Sequence, residues 1–301
     1  MEMKKNVLWM TAGILFFAGI LVLAFPTAVN LAYQYRSQKT IVQFCDENAA
    51  DSDTADDTLF LQMEEYNLAI YQNQQKDLCD AWSYQQNMFH FDAAGLADDM
   101  IGYLVIEAMD VQIPLYIGAS NANMSKGAAV LGQTSMPIGG ENTNCVIAAH
   151  RGYGSVPMFR NIEALEYGDQ VVITNLWDTL TYEVVKSIVI DPDDIDAVKI
   201  IPGQDLVTLI TCHPYTKNVQ RYVVYCRRVS DGEENQQLVQ ATEALPEIAE
   251  SVHGVEYVSS EKDIQLEEQM YTIRILTVAA SCFALLLWFL VKKIRRHFRR
   301  M

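Results

Sequence analysis

The sequence predicts a mainly β domain, a small barrel or sandwich, carried outside a membrane by an apolar helix at each end. Three observations predict it. An uncharged apolar segment lies near each terminus, with basic residues on its outer flank. From Gly102 onward, short β-rich runs alternate with turn residues; they occupy about 130 residues, enough for one core. Charge is also divided. The 301-residue chain carries −16; its ends (1–28 and 292–301) set eight basic residues against Glu2 for +7, which leaves −23 for the remainder. So acidic a middle argues against nucleic-acid binding, which needs Lys and Arg on phosphate.

Residues 1–33 read as the first anchor. Residues 6–33 hold no charged side chain, and "VLWMTAGILFFAGILVLAF" is long enough to cross a bilayer. Its apolar run exceeds the ~7–15 residue core of a cleaved signal peptide. Residues 274–301 read as a second span and a basic tail. "ILTVAASCFALLLWFLV", Ile275 to Val291, is at the short end of the spanning range, and Arg274 is placed to snorkel. Lys4-Lys5 before the first span and "KKIRRHFRR" after the second put positive charge on one side. Both termini are therefore expected to be cytoplasmic, with the middle outside the cell membrane.

Residues 34–100 read as linker, helix and irregular cover. The stretch 34–57, with "CDENAADSDTADD", is acidic and poor in large apolar groups, as a linker is. Over 58–76, Leu59, Met63, Tyr66 and Ile70 recur at helical spacing. Residues 77–100 hold Trp82, Phe89 and Phe91, placed either to pack over a groove or to staple the segment to the domain.

Residues 101–232 supply the strands. "GYLVIEAMDVQIPLYIG" gives two, "GAAVLGQTS" a third, and "NCVIAAH" a fourth ending in His150. "GYGSVPMFRNIEAL" gives a loop and short helix, with Gly152 and Gly154 leaving the loop open. "GDQVVITN" and "TLTYEVVKSIVI" read as a hairpin whose alternation breaks at Val185. "DPDDIDAVKIIPGQD" is a long connection with a helical turn; its Asp191, Asp193, Asp194 and Asp196 lack the spacing of a calcium loop. Residues 233–273 are an acidic linker or helical segment. Of six cysteines, Cys282 lies in the second span. The other five are an odd number, so at least one thiol outside is unpaired. The pairing of Cys45, Cys79, Cys145 and Cys226 stays open, with Cys145 and Cys226 read as core thiols or a disulfide.

"VTLITCHPYTKNVQRYVV", Val207 to Val224, carries the chemistry. Cys212 ends one strand and Arg221 begins the next, so a hairpin-like loop returns the guanidinium to the thiol. His150 ends a third strand. A buried core cysteine is the bland reading of Cys212. The functional one is a nucleophile whose thiolate a nearby cation favours, with imidazole moving the proton. Arginine keeps its charge and suits a developing oxyanion.

"TLITCHPYTKNVQRYVV" resembles the T-L-x-T-C-x-P-Y…N-x-x-R signature of sortases, the cysteine transpeptidases of Gram-positive cell surfaces. "LGQTSMPIGGENTNCVIAAHRGYGSVPMFRNIEALEYGD" is similar to the same family's histidine region. The resemblance covers about residues 102–230. It implies an eight-stranded sortase β-barrel with Cys212 as nucleophile, His150 as acid/base and Arg221 as the oxyanion or substrate-carbonyl group. The G-G-x-N-T, A-H-R-G and Pro192-Asp193-Asp194 elements resemble class C, the pilin-polymerising sortases. By that resemblance "CDAWSY" is a lid: Asp80 faces Arg221 and Trp82 sits over Cys212, although Ala81 stands where the family has Pro.

The resemblance implies cleavage of an LPXTG-like sorting signal between Thr and Gly. The acyl group then passes to an amine, a pilin lysine in class C or a cell-wall peptide in peptidoglycan anchoring. A non-catalytic pilus-assembly scaffold is the alternative of a different class. No cofactor is implied. Cys212, His213 and His150 lack the pair spacing of a zinc site, and His213 reads as a loop residue. Tyr215 and Asn218 shape the loop after Cys212.

Overall fold

The computed structural model describes residues 2–50, 57–84, 99–154, 156–229 and 258–298. Eight strands close into one barrel in the order β1-β2-β3-β4-β7-β8-β6-β5. They are β1 Met100–Ile106, β2 Val111–Ile117, β3 Ala128–Val130, β4 Thr143–Ala148, β5 Gln170–Asn175, β6 Thr179–Ile190, β7 Asp205–His213 and β8 Gln220–Arg228. β1 pairs with β5 and closes the ring, so neither edge is left for another chain. Gly102 sits at that seam: a Cβ there would lie 2.0 Å from the Thr174 carbonyl oxygen. The broken alternation in β6 has a physical counterpart, a register shift between Val184 and Lys186 where the strand bulges against β8.

Among the described residues four α-helices accompany the barrel: α1 Glu2–Ala50, α2 Asp57–Gln72, α3 Asn121–Lys126 and α4 Glu261–Phe298. α1 corrects one expectation. The helix runs through residues 34–50, where composition reads as a linker. Ser37, Ile41 and Phe44 recur at helical spacing and are buried, and the Phe44 ring meets Tyr103 of β1 edge-on at 6.5 Å. Three contacts on one face hold a segment whose average composition is polar. α2 follows its apolar spacing: Leu59, Met63 and Ile70 are buried. Polar ties complete its seat on the barrel. Tyr66 Oη accepts from Gln133 N at 3.1 Å and Asn67 Oδ1 from Met136 N at 2.7 Å. Just beyond α2, Gln75 bridges the Gln133 carbonyl (2.9 Å) and the Ile200 amide (2.7 Å).

The chain divides into two compact units, residues 34–153 with 157–261, and residues 1–33 with 154–156 and 262–301. Among the described residues one stretch, Phe16–Glu47 of α1, is long and apolar enough to cross a membrane. The second expected span falls within α4, several of whose side chains from 286 onward lie outside the described residues. Phe89 and Phe91 also lie outside them.

The register resolves the question of Cys145 and Cys226. Both face Val207, Cys145 from β4 and Cys226 from β8, so a whole strand separates them. Strands lie about 4.8 Å apart, which puts the two Cα atoms near 9.6 Å, beyond the reach of a disulfide. Both thiols are free and buried, and burial raises each pKa well above the ordinary thiol range. Two measurements check this packing. Peptide mapping after denaturation under alkylation is expected to recover Cys145 and Cys226 as separately capped thiols. Met63→Ala, which empties a fully buried site under α2, is expected to cost about 2–5 kcal/mol in denaturant unfolding.

Candidate active site

The topology gathers the site. β4 and β7 run parallel, from Thr143↔Asp205 to Ala148↔Ile210. Their C-terminal ends therefore reach the same rim of the barrel. Two bonds carry the pairing past the ladder: Ala149 N to the Ile210 carbonyl (3.3 Å) and Thr211 Oγ1 to the Ala149 carbonyl (2.7 Å). His150 follows at once. β8 is antiparallel to β7, so its first residues return to that rim, and Arg221 pairs directly with Cys212.

Cys212, Arg221, His150 and Trp82 line one cleft of about 410 Å³, with Tyr215 and Asn218 from the β7–β8 loop on its wall. Gly152 bends the chain away after His150 at φ +90°, where a Cβ would lie 3.3 Å from the Tyr215 ring. This glycine keeps the mouth open without strain.

Residues 77–84 cover the cleft. Asp80 caps a 3₁₀ turn over Ala81–Ser83, its Oδ2 accepting from Trp82 N at 3.2 Å. The same carboxylate takes the Arg221 fork in two bonds, Nε to Oδ1 at 2.7 Å and Nη2 to Oδ2 at 2.8 Å. The third guanidinium nitrogen, Nη1, donates to the Gln220 carbonyl at 2.9 Å. The Trp82 ring lies 4.7 Å from the guanidinium carbon, a cation–π contact. Its indole N–H points at His150 Nδ1 across 3.5 Å, and the His150 ring stacks on Tyr153 with centroids 4.8 Å apart. Trp82 thus touches Arg221 and His150 in the cleft that Cys212 shares.

Burial sets the protonation states. It pushes the Cys212 thiol up, Arg221 pulls it back, and the Asp80 charge raises it again, for a net value of about 11. Burial also lowers His150 below its ordinary range. At neutral pH the pair is thiol and neutral imidazole, with both charged neighbours locked to each other.

His213 corrects an expectation. It is the last residue of β7, fully buried, and its Nδ1 lies 2.7 Å from Arg151 Nη1. Arg151 in turn meets the Glu163 carboxylate. The sequence flagged neither Arg151 nor Glu163. The "AHRG" and "RNIEAL" pieces held them, but nothing in their spacing signals a bond between segments this far apart.

A closed eight-stranded barrel with thiol, imidazole and guanidinium at one rim defines a sortase-type fold. Residues 104–229 match the family model of the Sortase domain, and the chain belongs to the sortase family. Among curated relatives, it is 30% identical over 132 residues to Sortase D of Bacillus subtilis (strain 168), covering 43% of this chain and 64% of that protein. It is 25% identical over 138 residues to Sortase A of Streptococcus agalactiae serotype III (strain NEM316), covering 44% and 55%. The chain thus spans less than two thirds of these relatives' length. Solved structures that match include sortases C. Sortase C-1 from S. pneumoniae superimposes with a TM-score of 0.56 at 30% identity, covering 64% of this chain and 99% of that one. Sortase C from Clostridium perfringens SM101 gives 0.53 at 30% identity, again covering 64% and 99%. Sortase C1 of GBS Pilus Island 1 gives 0.56 at 28% identity, covering 67% and 96%.

The geometry predicts the alkylation chemistry of Cys212. The rate is expected to rise about tenfold per pH unit from neutrality toward pH 11, where the thiol titrates. Asp80→Ala removes a carboxylate that raises the thiol pKa and frees the guanidinium that lowers it. The profile is therefore expected to move to lower pH, with faster alkylation at pH 7. An unmoved profile would show that the carboxylate does not control the thiol.

Proposed function

We propose that this chain is a membrane-anchored cysteine transpeptidase that cleaves an LPXTG-like sorting signal between Thr and Gly. Cys212 is the nucleophile, His150 the acid/base and Arg221 the group that meets the developing oxyanion. The observation that carries this reading is the direct cross-strand pairing of Cys212 with Arg221 beside the end of β4 that holds His150. The chemistry balances with the neutral pair. The thiol proton passes to the imidazole as sulfur attacks the Thr carbonyl carbon. The tetrahedral oxyanion forms against the guanidinium, whose charge is permanent. The C–N bond breaks, and His150 returns the proton to the leaving Gly amine. A second amine then attacks the thioester, and His150 takes its proton and hands it to the departing sulfur, so that Cys212 leaves as the thiol.

Asp80 and Trp82 are the lid over this machinery. The carboxylate holds two nitrogens of Arg221, and the indole covers the imidazole. Entry of a sorting signal requires that both contacts break. The likeness to the sortase of a pilus island supports a pilin lysine as the acceptor. The two apolar ends of the chain support a catalytic domain held outside the cell membrane with both termini inside.

Intact-mass spectrometry tests the reading. Full-length protein incubated with an LPXTG-type peptide is expected to gain the mass of the acyl fragment through Thr. Cys212→Ala is expected to gain nothing while retaining cooperative unfolding. Arg221→Lys, which loses the planar fork, is expected to lower kcat by about 100-fold or more. Transfer at the parent rate in either variant would remove that residue from its role.

A further inference from the structure

We infer that buried Arg151 and His213, with half-buried Glu163, form a brace that fixes the separation of Cys212 and His150. The inference rests on the reading of those two groups as nucleophile and acid/base. Arg151 is the residue after His150, and His213 is the residue after Cys212. Their side chains are bonded to each other at 2.7 Å, one residue behind the proposed pair. A guanidinium can only donate, so His213 Nδ1 is the acceptor and the ring proton sits on Nε2.

The brace is anchored on all sides. Arg151 Nε donates to the Arg160 carbonyl at 3.3 Å, and Nη2 donates to Glu163 Oε1. Burial by itself would raise the Glu163 pKa, but its contacts with Arg151 and Ser260 hold it below the ordinary carboxylate range. Both carboxylate oxygens accept from the Ser260 amide at 3.3 Å, and Ser260 Oγ accepts from Tyr215 N at 2.7 Å. Four segments meet at this cluster: the exit of β4, the turn at 160–163 and the end of β7 at the Arg151 guanidinium, and residues 259–260 ahead of α4 at the Glu163 carboxylate.

Position and burial give this cluster its role. The Arg151 side chain is 1% exposed and that of His213 0%, so it offers substrate no donor. Out of water, the Arg151–His213 bond meets no competition from solvent. The β4–β7 ladder stops at Ala148↔Ile210, two residues short of both reacting groups. The brace resumes the tie just beyond them. Cys212 and His150 are thereby held from both sides, before and after, and each is left one short step of chain to move. Arg151, His213 and Glu163 are positioning residues in this scheme, distinct from Arg221.

A double-mutant cycle tests the brace at one fixed pH. Full-length protein carrying Trp82→Ala, to open the cleft, is treated with iodoacetamide. Alkylation is followed by mass spectrometry of the Cys212 peptide, with and without His150→Ala. The parent is expected to show a clear effect of His150→Ala. In His213→Leu that effect is expected to shrink to within about twofold of unity, because a thiol and imidazole out of register no longer couple. His213→Asn places Oδ1 where Nδ1 was and is expected to restore it. Transfer to peptide is expected to follow the same order, with kcat down by as much as about 100-fold in His213→Leu and KM little changed. Should His213→Leu fail to unfold cooperatively, Arg151→Lys carries the same comparison with the charge kept and the fork lost. An unchanged His150→Ala effect in these backgrounds overturns the brace and leaves the proposed catalysis standing. No effect of His150→Ala in the parent overturns the pair itself, and the brace with it.

Discussion

The parallel pairing of β4 with β7 is the constraint on which the rest of this molecule depends. Parallel strands cannot be joined by a tight hairpin, so a long crossover must separate them in sequence. Here that crossover holds β5, β6 and the long 191–204 connection. The result is that residues 62 apart lie side by side and end at one rim. β8 then needs only a short loop to bring Arg221 opposite Cys212. A slip of one residue in either pairing would turn the thiol to the other face of the sheet. The buried, β-branched content of β7 resists that slip, since every residue from Leu206 to His213 is buried.

The same burial determines the resting electrostatics. A half-dry rim raises the thiol, lowers the imidazole and strengthens every charge contact that remains. Left open, a permanent guanidinium would favour the thiolate. Closed, its charge is spent on Asp80, and the carboxylate acts on the thiol in the opposite sense. The covering turn therefore acts on access and on charge together. Its stiffness does not come from proline. Asp80 caps the turn through its own side chain, and Ala81 is fully buried beneath it. A small residue at 81 packs where a ring would otherwise supply rigidity, and Gln75 pins the root of the segment to two separate loops.

Much of the barrel was legible because its strands are short β-rich runs and its turns keep their glycines. The placement of Cys212 beside Arg221 was legible too, since both ends of one hairpin lie within nine residues. The bulge in β6 showed as a broken alternation at Val185. Other features were not legible for equally physical reasons. Residues 34–50 looked like a linker because acidic content was averaged over a stretch in which only Ser37, Ile41 and Phe44 make the contacts. His213 looked like a loop residue because the turn chemistry of "HPYTKN" begins with it, whereas the strand ends with it. Its partners Arg151 and Glu163 are 62 and 50 positions away, and no local pattern reports a bond across that span. Cys145 and Cys226 show the converse: spacing left their pairing open, and register alone excludes it.

The proposed lid sets a thermodynamic condition on the proposed reaction. The two Asp80–Arg221 bonds and the Trp82 contacts must be exchanged for contacts with substrate. A sorting signal that binds only the open form has its apparent affinity reduced by the fraction of molecules that stand open. Confinement would offset this loss in the proposed arrangement. With barrel and substrate held at one membrane, the effective concentration of substrate exceeds that of a free peptide. On that proposal the lid discounts every ligand equally, and the anchor restores those presented at the membrane.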